Sequence, residues 1–475
     1  MTTYIYDAII IGSGPNGLTA AIRLAQAGYR VQVIERGSTI GGGTRTLELT
    51  EAGFQHDIGS AIHPLGIASP YLKTLPLSDF GLEWVFPEYE AAHPLSDGDA
   101  VLVSRDVAKT ASTLGVDEAT YKFVMNYLVS NYENLLHDFL APLRFPRAPI
   151  PFALFGMLAL LPATRAARLL FREERTRAMF AGMAAHSIQA LENPATGAFG
   201  WVLLTLAHAV GWGMPKGGAH SITKAMAAYF ESLGGEIITD TEISHLSQVP
   251  HSRAVLFNTT PRQMLSIAGE ALPPLYKRRL ENYTYGAGIF KIDYALSQPV
   301  PWRNAEVGKA ATVHLGGTLS EIAKSEHLIT HGVHSDAPYV LFVQPTPFDP
   351  TRAPAGKHIA WAYCHVPNGS TRDMTAIMEA QIERYAPGFR DTVISKHTMT
   401  AMDVQAYNPN YMGGDINGGV QDLTQLFTRP VTRLSPYTTP NPRLFLASSS
   451  VPPGGGVHGM GGYHAAEAVL HQQKK

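Results

Sequence analysis

The hydrophobic pattern is sharpest at the start of the chain, where Tyr6-Asp7-Ala8-Ile9-Ile10-Ile11 ends in a continuous apolar run that stops at Gly12. A run without polar alternation suits a parallel strand covered on both faces. The period then changes: Leu18, Ile22 and Ala25 fall on one helical stripe within residues 18–27, and Gly28 is placed to end that helix. Val31-Gln32-Val33-Ile34 forms a second apolar strand closed by Glu35. Further along, residues 97–143 read as mostly helical, with Asp106 or Thr110 as caps and spaced apolar and aromatic positions over 121–140. Residues 150–163 are the most apolar stretch, but they contain Pro151, Gly156 and Pro162 and fall short of the roughly 18 residues of a bilayer-spanning helix. A helix over 222–233 leads through Gly234-Gly235 into strands at 236–238 and 253–257. Strands at 289–296, 339–343 and 358–363 precede a helix at 374–385 that Ala386-Pro387-Gly388 stops. The chain closes with a strand at 443–447, a glycine-rich loop and a helix at 463–470.

Between the first strand and helix lies G-x-G-x-x-G, formed by Gly12, Gly14 and Gly17 with Pro15 and Asn16 between them. Gly12 allows the tight turn, Gly14 lets a pyrophosphate approach backbone, and Gly17 lets helix pack on strand. Free N–H groups at the helix start face the phosphates. Glu35 lies 35 − 17 = 18 positions after the last glycine, close to the roughly 20 expected for an acid that binds ribose hydroxyls. A glycine-rich turn alone would say little. Strand, glycines, helix, strand and terminal acid in one register predict a dinucleotide-binding βαβ unit.

Two further runs carry a resemblance. Glu35-Arg36-Gly37-Ser38-Thr39-Ile40-Gly41-Gly42-Gly43-Thr44-Arg45-Thr46 and Gly53-Phe54-Gln55-His56-Asp57-Ile58-Gly59-Ser60-Ala61-Ile62-His63-Pro64 resemble FAD-dependent oxidoreductases of the phytoene desaturase-related group, in the wider class that includes amine oxidases. The run Pro452-Pro453-Gly454-Gly455-Gly456-Val457-His458-Gly459-Met460-Gly461-Gly462-Tyr463 is similar to the segment that lies against the flavin ring in that group. FAD is therefore the implied cofactor. The resemblance implies that the backbone of Gly41 and Gly42 lies against the diphosphate and that Arg45 contacts the cofactor near the flavin. It extends cofactor contact to Thr44, Asp57, Ser60, Thr259, Pro261, Ser449, Gly456, Gly459, Met460 and Gly461, although Asp57 suits an anchor of its own loop better than a chemical role. One departure is Ala447-Ser448-Ser449, where amine oxidase-type members carry a Gly–acid pair; a ribityl contact must then come from serine, backbone or water.

The implied architecture is α/β: a discontinuous Rossmann-like FAD-binding domain (1–64, 214–285 and 420–475) with an inserted α+β substrate domain (65–213 and 286–419). A chain of 475 residues with 45% hydrophobic content is long enough for more than one core. A formal net charge of −2 gives no field for polyanions, so nucleic acid is not an expected partner. The single cysteine, Cys364, excludes an internal disulfide and supplies no metal cluster, which agrees with a reducing, cytoplasmic setting. The dinucleotide unit starts so early that no room is left for a leader peptide.

A flavin takes hydride at its N5 position, so the resemblance implies hydride transfer from an apolar, isoprenoid or acyl, CH–CH bond, with oxygen or a quinone as the eventual acceptor. His63 and His458 lie in flavin-proximal motifs and titrate in the range of a catalytic base, yet among 19 histidines either also suits a hydrogen-bonded packing role. The helix beginning around Gly459 to Gly462 would present free N–H groups to the reduced ring. The apolar 150–163 stretch, followed by Arg165, Arg168, Arg172, Arg175 and Arg177, suits a membrane interface, the mouth of a substrate tunnel, or a buried helix with a solvated end. Two rivals share the fold: a flavin amine oxidase and a non-catalytic prenyl or lipid escort protein.

Overall fold

A computed structural model describes residues 5–473. The apolar strand Tyr6–Ile11 sits at the centre of a five-stranded, fully parallel sheet, with Ala8, Ile9 and Ile10 sealed from solvent. The strand order is Leu444–Leu446, Ser252–Phe257, Tyr6–Ile11, Val31–Ile34 and Glu236–Ile238. The chain thus leaves the first strand toward one side and later returns on the other. Ligands of open α/β sheets bind at such a switch point, beyond the carboxyl ends of the strands. Gly12 and Glu35 stand there.

The helix Pro15–Gln26 begins with proline in its first turn, where a missing N–H costs nothing. It packs against the terminal helix Met460–Gln473 at very short range. Gly462 N donates to Asn16 Oδ1 at 3.2 Å, and a Cβ on Gly462 would stand 1.8 Å from the Asn16 carbonyl oxygen. A Cβ on Gly459 would stand 2.3 Å from Thr19 Oγ1. Small residues let two helices 440 positions apart share one surface.

A second sheet has seven strands in the order Val393–Met399, Gly288–Leu296, His358–Val366, Val340–Val343, Ala310–Leu315, Tyr89–Pro94 and Ala100–Val103. All neighbours are antiparallel except Ala310–Leu315 and Tyr89–Pro94. Its register aligns Met399, Lys291, Tyr363, Leu341 and His314 in one cross-strand row. The next row on the same face holds Asp293, Trp361, Val343 and Thr312. Helices Glu174–Ala184 and Thr196–Ala209 belong to the layer that packs with this sheet.

Two elements differ from expectation. Residues 100–103 form a strand paired with Tyr89–Pro94, and helices occupy Val107–Ala111, Glu118–Ser130 and Tyr132–Phe139. Asp106 is the cap, its carboxylate accepting from Ala108 N and Lys109 N, while Thr110 lies inside the helix. The 150–163 stretch is two elements: Pro149–Ala159, then Ala163–Leu170 turned by 100°. Only Phe155 and Ala159 of the first are buried, so the buried-helix reading fails.

Gly462→Ala should part the terminal and first helices and cost about 1–3 kcal/mol, the usual penalty of overpacking. Gly156→Ala, in a helix with nothing within 4 Å of the new Cβ, should instead gain about 0.5–1 kcal/mol. Urea midpoints of the two variants are expected to move in opposite directions; an unchanged midpoint for Gly462→Ala would refute the contact.

Candidate active site

One cavity of ≈ 490 Å³ runs from the glycine loop of the parallel sheet to the face of the seven-stranded sheet. At the first end its wall is Gly12, Gly14, Pro15, Asn16, Gly42 and Thr44. Gly12 has φ +97°, a value L side chains rarely adopt, and a Cβ on Gly17 would lie 2.1 Å from the Gly12 carbonyl oxygen. Gly42, at φ +55°, would place a Cβ 3.2 Å from Gly14 Cα. Two glycine loops therefore face each other at a distance only bare backbone permits. Asn258, beyond the strand Ser252–Phe257, seals the turn by donating from Nδ2 to Gly12 O at 3.2 Å. Nothing in its local sequence marked it for that role.

Glu35 closes the second strand and is 9% exposed. Its Oε2 accepts from Ser13 N at 2.9 Å and Ser13 Oγ at 2.7 Å, and its Oε1 from Gly37 N at 2.8 Å. Arg45 Nη2 lies 3.3 Å from Oε1, with the guanidinium over the Tyr407 ring. Glu35 is thus both a wall of the cavity and the brace of its loops. Arg45, expected near the flavin, is held beside Glu35 by this carboxylate. Arg36 is exposed at the same rim.

Ser60, His63, Thr259, Ser449 and Gly456 also line the cavity. His63 is 2% exposed, with Nε2 unpartnered and Nδ1 3.5 Å from Ser60 Oγ. Burial pushes its pKa down to about 4, so the ring is neutral. His458 does not reach the cavity. It is fully buried, its Nδ1 accepts from Met460 N at 3.0 Å, and burial lowers it to about 4. It is a packing residue.

Gly459, Met460 and Gly461 do not line the cavity either. A Cβ on Gly461 would meet the Ser448 carbonyl at 2.7 Å, so these glycines serve chain packing, and Met460 N and Gly462 N are already taken by His458 and Asn16. The loop that meets the cavity is Gly455-Gly456-Val457. Asp57 is also off the wall: it is fully buried, accepts from Ala219 N and Thr46 Oγ1, and pairs with Arg352 at 2.8 Å. Gly41 bends behind the loop at φ +114°, and Pro261 starts the helix Pro261–Ala268 behind Thr259.

Sequence reasoning missed the far end, because it is assembled only by strand register. Lys291 is 1% exposed, in contact with Asp293, and its Nζ lies 5.4 Å from the Trp361 ring centre. Burial alone would raise Asp293, but Lys291, His397 and His56 hold it below its usual value. Trp361 and Tyr363 stack with planes 12° apart. Leu341, Val343 and Ile289 continue this apolar floor, and Phe199, Val202 and Leu203 face the cavity from the helical layer.

The walls fit a bound FAD. The paired glycine loops form a cradle that Cβ atoms would fill. The NAD(P)-binding Rossmann-like domain family matches residues 10–75. Over 99% of this chain and 94% of its own length, the mouse pyridine nucleotide-disulfide oxidoreductase domain-containing protein 2 is 26% identical. The lycopene-forming phytoene desaturase of Pantoea ananas is 24% identical over 97% of this chain and 98% of its own. An oxidoreductase from Methanosarcina mazei has the same fold, with TM-score 0.65 and 19% identity over 98% and 100% of the two chains. Putrescine oxidase aligns with TM-score 0.63 and 16% identity over 99% of each.

Fold, cradle and relatives support an FAD-dependent oxidoreductase rather than an escort protein. More particularly, the chain's full-length likeness is to phytoene desaturase-related flavoproteins.

Glu35→Ala should weaken FAD binding by about 1.5–3 kcal/mol or more, since each hydrogen bond to a charged group is worth that much and the loops lose their brace as well. Titration of apoprotein with FAD measures it; equal dissociation constants would refute the role. A pH prediction follows from His63, His93 and His458, each lowered by burial from 6.5 to about 4. The unfolded chain takes up these protons near pH 6.5 and the folded chain only near 4. Stability is therefore complete above pH 6.5 and lost as pH falls through that interval; a flat thermal midpoint from pH 6.5 to 4 would contradict neutral burial.

Proposed function

We propose that the protein desaturates an apolar lipid chain, of isoprenoid or acyl type, by removing two hydrogens from adjacent carbons. The observation that carries this reading is the cavity floor. Trp361, Tyr363, Leu341 and Val343 offer an aromatic and aliphatic bed with no free charge. The flanking ammonium of Lys291 already occupies the Trp361 face, where a substrate ammonium would otherwise dock, and is compensated by Asp293. That arrangement favours a C–H donor over an amine. Relatives named as a phytoene desaturase and a 4,4'-diapolycopene oxygenase support an isoprenoid chain.

When bound, FAD supplies the hydride acceptor. The walls hold the substrate's C–H bond toward it and exclude water, so the bond breaks with both electrons leaving the carbon. The neighbouring C–H is then strongly acidic; its electron pair forms the new C=C bond, and its proton goes to the neutral, unpartnered Nε2 of His63. Histidine lowered in this way is a weak base, which suffices for so acidic a proton.

Entry of a lipid is supported by the surface. Leu143, Phe145, Ile150, Met157, Leu160 and Leu169 are exposed, and Arg165, Arg168 and Arg172 stand exposed nearby. Arg175 and Arg177 are engaged by Asp99 and Glu174. Beneath this helix a small apolar gap lies between Phe155, Phe139 and Val202, and the last two also line the main cavity. A lipid leaving an anionic membrane surface would pass under the helix to the flavin.

Anaerobic mixing of FAD-loaded protein with lipid-dispersed isoprenoids should bleach the flavin and yield a product two hydrogens lighter. Bleaching by primary amines and not by any isoprenoid or acyl chain would overturn the reading; peroxide release separates oxygen from a quinone as acceptor. Replacing Arg165, Arg168 and Arg172 with glutamate should reduce sedimentation with anionic liposomes at low salt. Absence of wild-type sedimentation would remove the membrane route.

A further inference from the structure

The floor of the cavity is apolar only in its middle. Along one row the residues are Lys291, Tyr363, Leu341 and His314; along the next, Asp293, Trp361, Val343 and Thr312. Three strand-to-strand steps of about 4.8 Å separate the Lys291 strand from the Thr312 strand, so about 14 Å of apolar bed ends in a second polar cluster. Thr312 is 2% exposed and lines the cavity, and its Oγ1 has no partner in the protein. A buried hydroxyl is seldom left without one.

Beside it, His186 lines the cavity from the helical side, its Nε2 3.0 Å from Nε2 of His314. The helix Glu174–Ala184, which runs into the turn that carries His186, is held to the sheet by Tyr339, whose hydroxyl donates to Gly182 O at 2.9 Å. Burial keeps His186 low, at about 3, and His314 well below its ordinary value, so both rings are neutral. The other groups behind them are His93, bound to Gly317 O, and the His365–Glu326 pair. None of these offers an uncompensated positive charge.

We propose that this end of the cavity is a subsite for a neutral oxygen function, a hydroxyl or carbonyl, at the terminus of the apolar chain, held by Thr312 Oγ1 and by His186 braced on His314. The inference rests on the reading that the cavity takes an apolar chain, and it narrows that chain from a hydrocarbon to a lipid alcohol, aldehyde or ketone. Thr312 accepts from or donates to the oxygen, as does a neutral imidazole, so either function is served. A carboxylate would meet no cation, and the Glu326 carboxylate behind would oppose it.

Equilibrium dialysis of FAD-loaded protein against radiolabelled hexadecan-1-ol, hexadecane and hexadecanoate, each delivered from cyclodextrin, tests the subsite. The alcohol should bind at least tenfold tighter than the alkane or the carboxylate, equivalent to about 1.4 kcal/mol. Thr312→Val, which keeps the shape, and His186→Phe should each abolish most of that advantage and leave alkane binding unchanged. Tightest binding by the carboxylate, an alcohol advantage that survives Thr312→Val, or no binding of any of the three would overturn the proposal. Flavin bleaching by isoprenoid and acyl chains is followed in parallel. Alcohol binding that depends on Thr312 without bleaching by any chain keeps the subsite and removes desaturation; bleaching with an alcohol advantage indifferent to Thr312→Val does the reverse.

Discussion

The cofactor site depends on one carboxylate. Glu35 receives Ser13 N and Oγ from the first glycine loop and Gly37 N from its own turn, and attracts Arg45 from the second glycine run. Its backbone N–H donates to Ile238 O, and its carbonyl receives Thr241 N. Three loops are thereby tied to the end of one parallel strand. A ribose hydroxyl arriving at Glu35 therefore joins a charge already shared among four donors, and it must share a lone pair or displace one of them. Cofactor affinity and loop geometry are coupled for that reason.

The second sheet solves a different problem, that of placing polarity beside an apolar bed without an unpaired charge. Lys291 and Asp293 face each other two residues apart on one strand, both buried, with His56 and His397 near the carboxylate. Removing one partner would leave the other as an isolated buried charge, which is far more costly than losing the pair. The pair is thus a fixed dipole at one end of the floor. The neutral imidazoles at the other end complete a surface graded from ionic through aromatic to neutral polar.

What could be read from sequence follows the range of the constraint. The roles of Gly12 and Gly17 and the place of Glu35 at the strand end were legible because strand, turn, helix and strand follow one another within thirty residues. Of the two caps the spacing offered, Asp106 and Thr110, the first is the one formed. The packing role of Gly459 and Gly461 gave no local signal, because the surfaces they meet belong to Asn16, Thr19 and Ser448, and most of those contacts cross more than 400 positions. Lys291, Thr312 and His314 gave no local signal, since only cross-strand register brings them to one face. The strand at 100–103 was hidden by the helical spacing that follows it, and its partner strand carries Glu90 and His93, polar residues that a strand pattern does not announce.

Burial, finally, sets the style of chemistry the site can support. His63, His186 and His314 are all pushed well below neutrality by desolvation, and the single buried ammonium on the floor is matched by its own carboxylate. A site of this kind has no strong base with which to begin a reaction by proton abstraction. It can hold a C–H bond dry against an electron-deficient partner and accept a proton only after that proton has become acidic. Under the proposed desaturation, the same desolvation that keeps the histidines neutral would make hydride loss lead and proton loss follow, as a substrate whose reacting carbons carry no acidifying group requires.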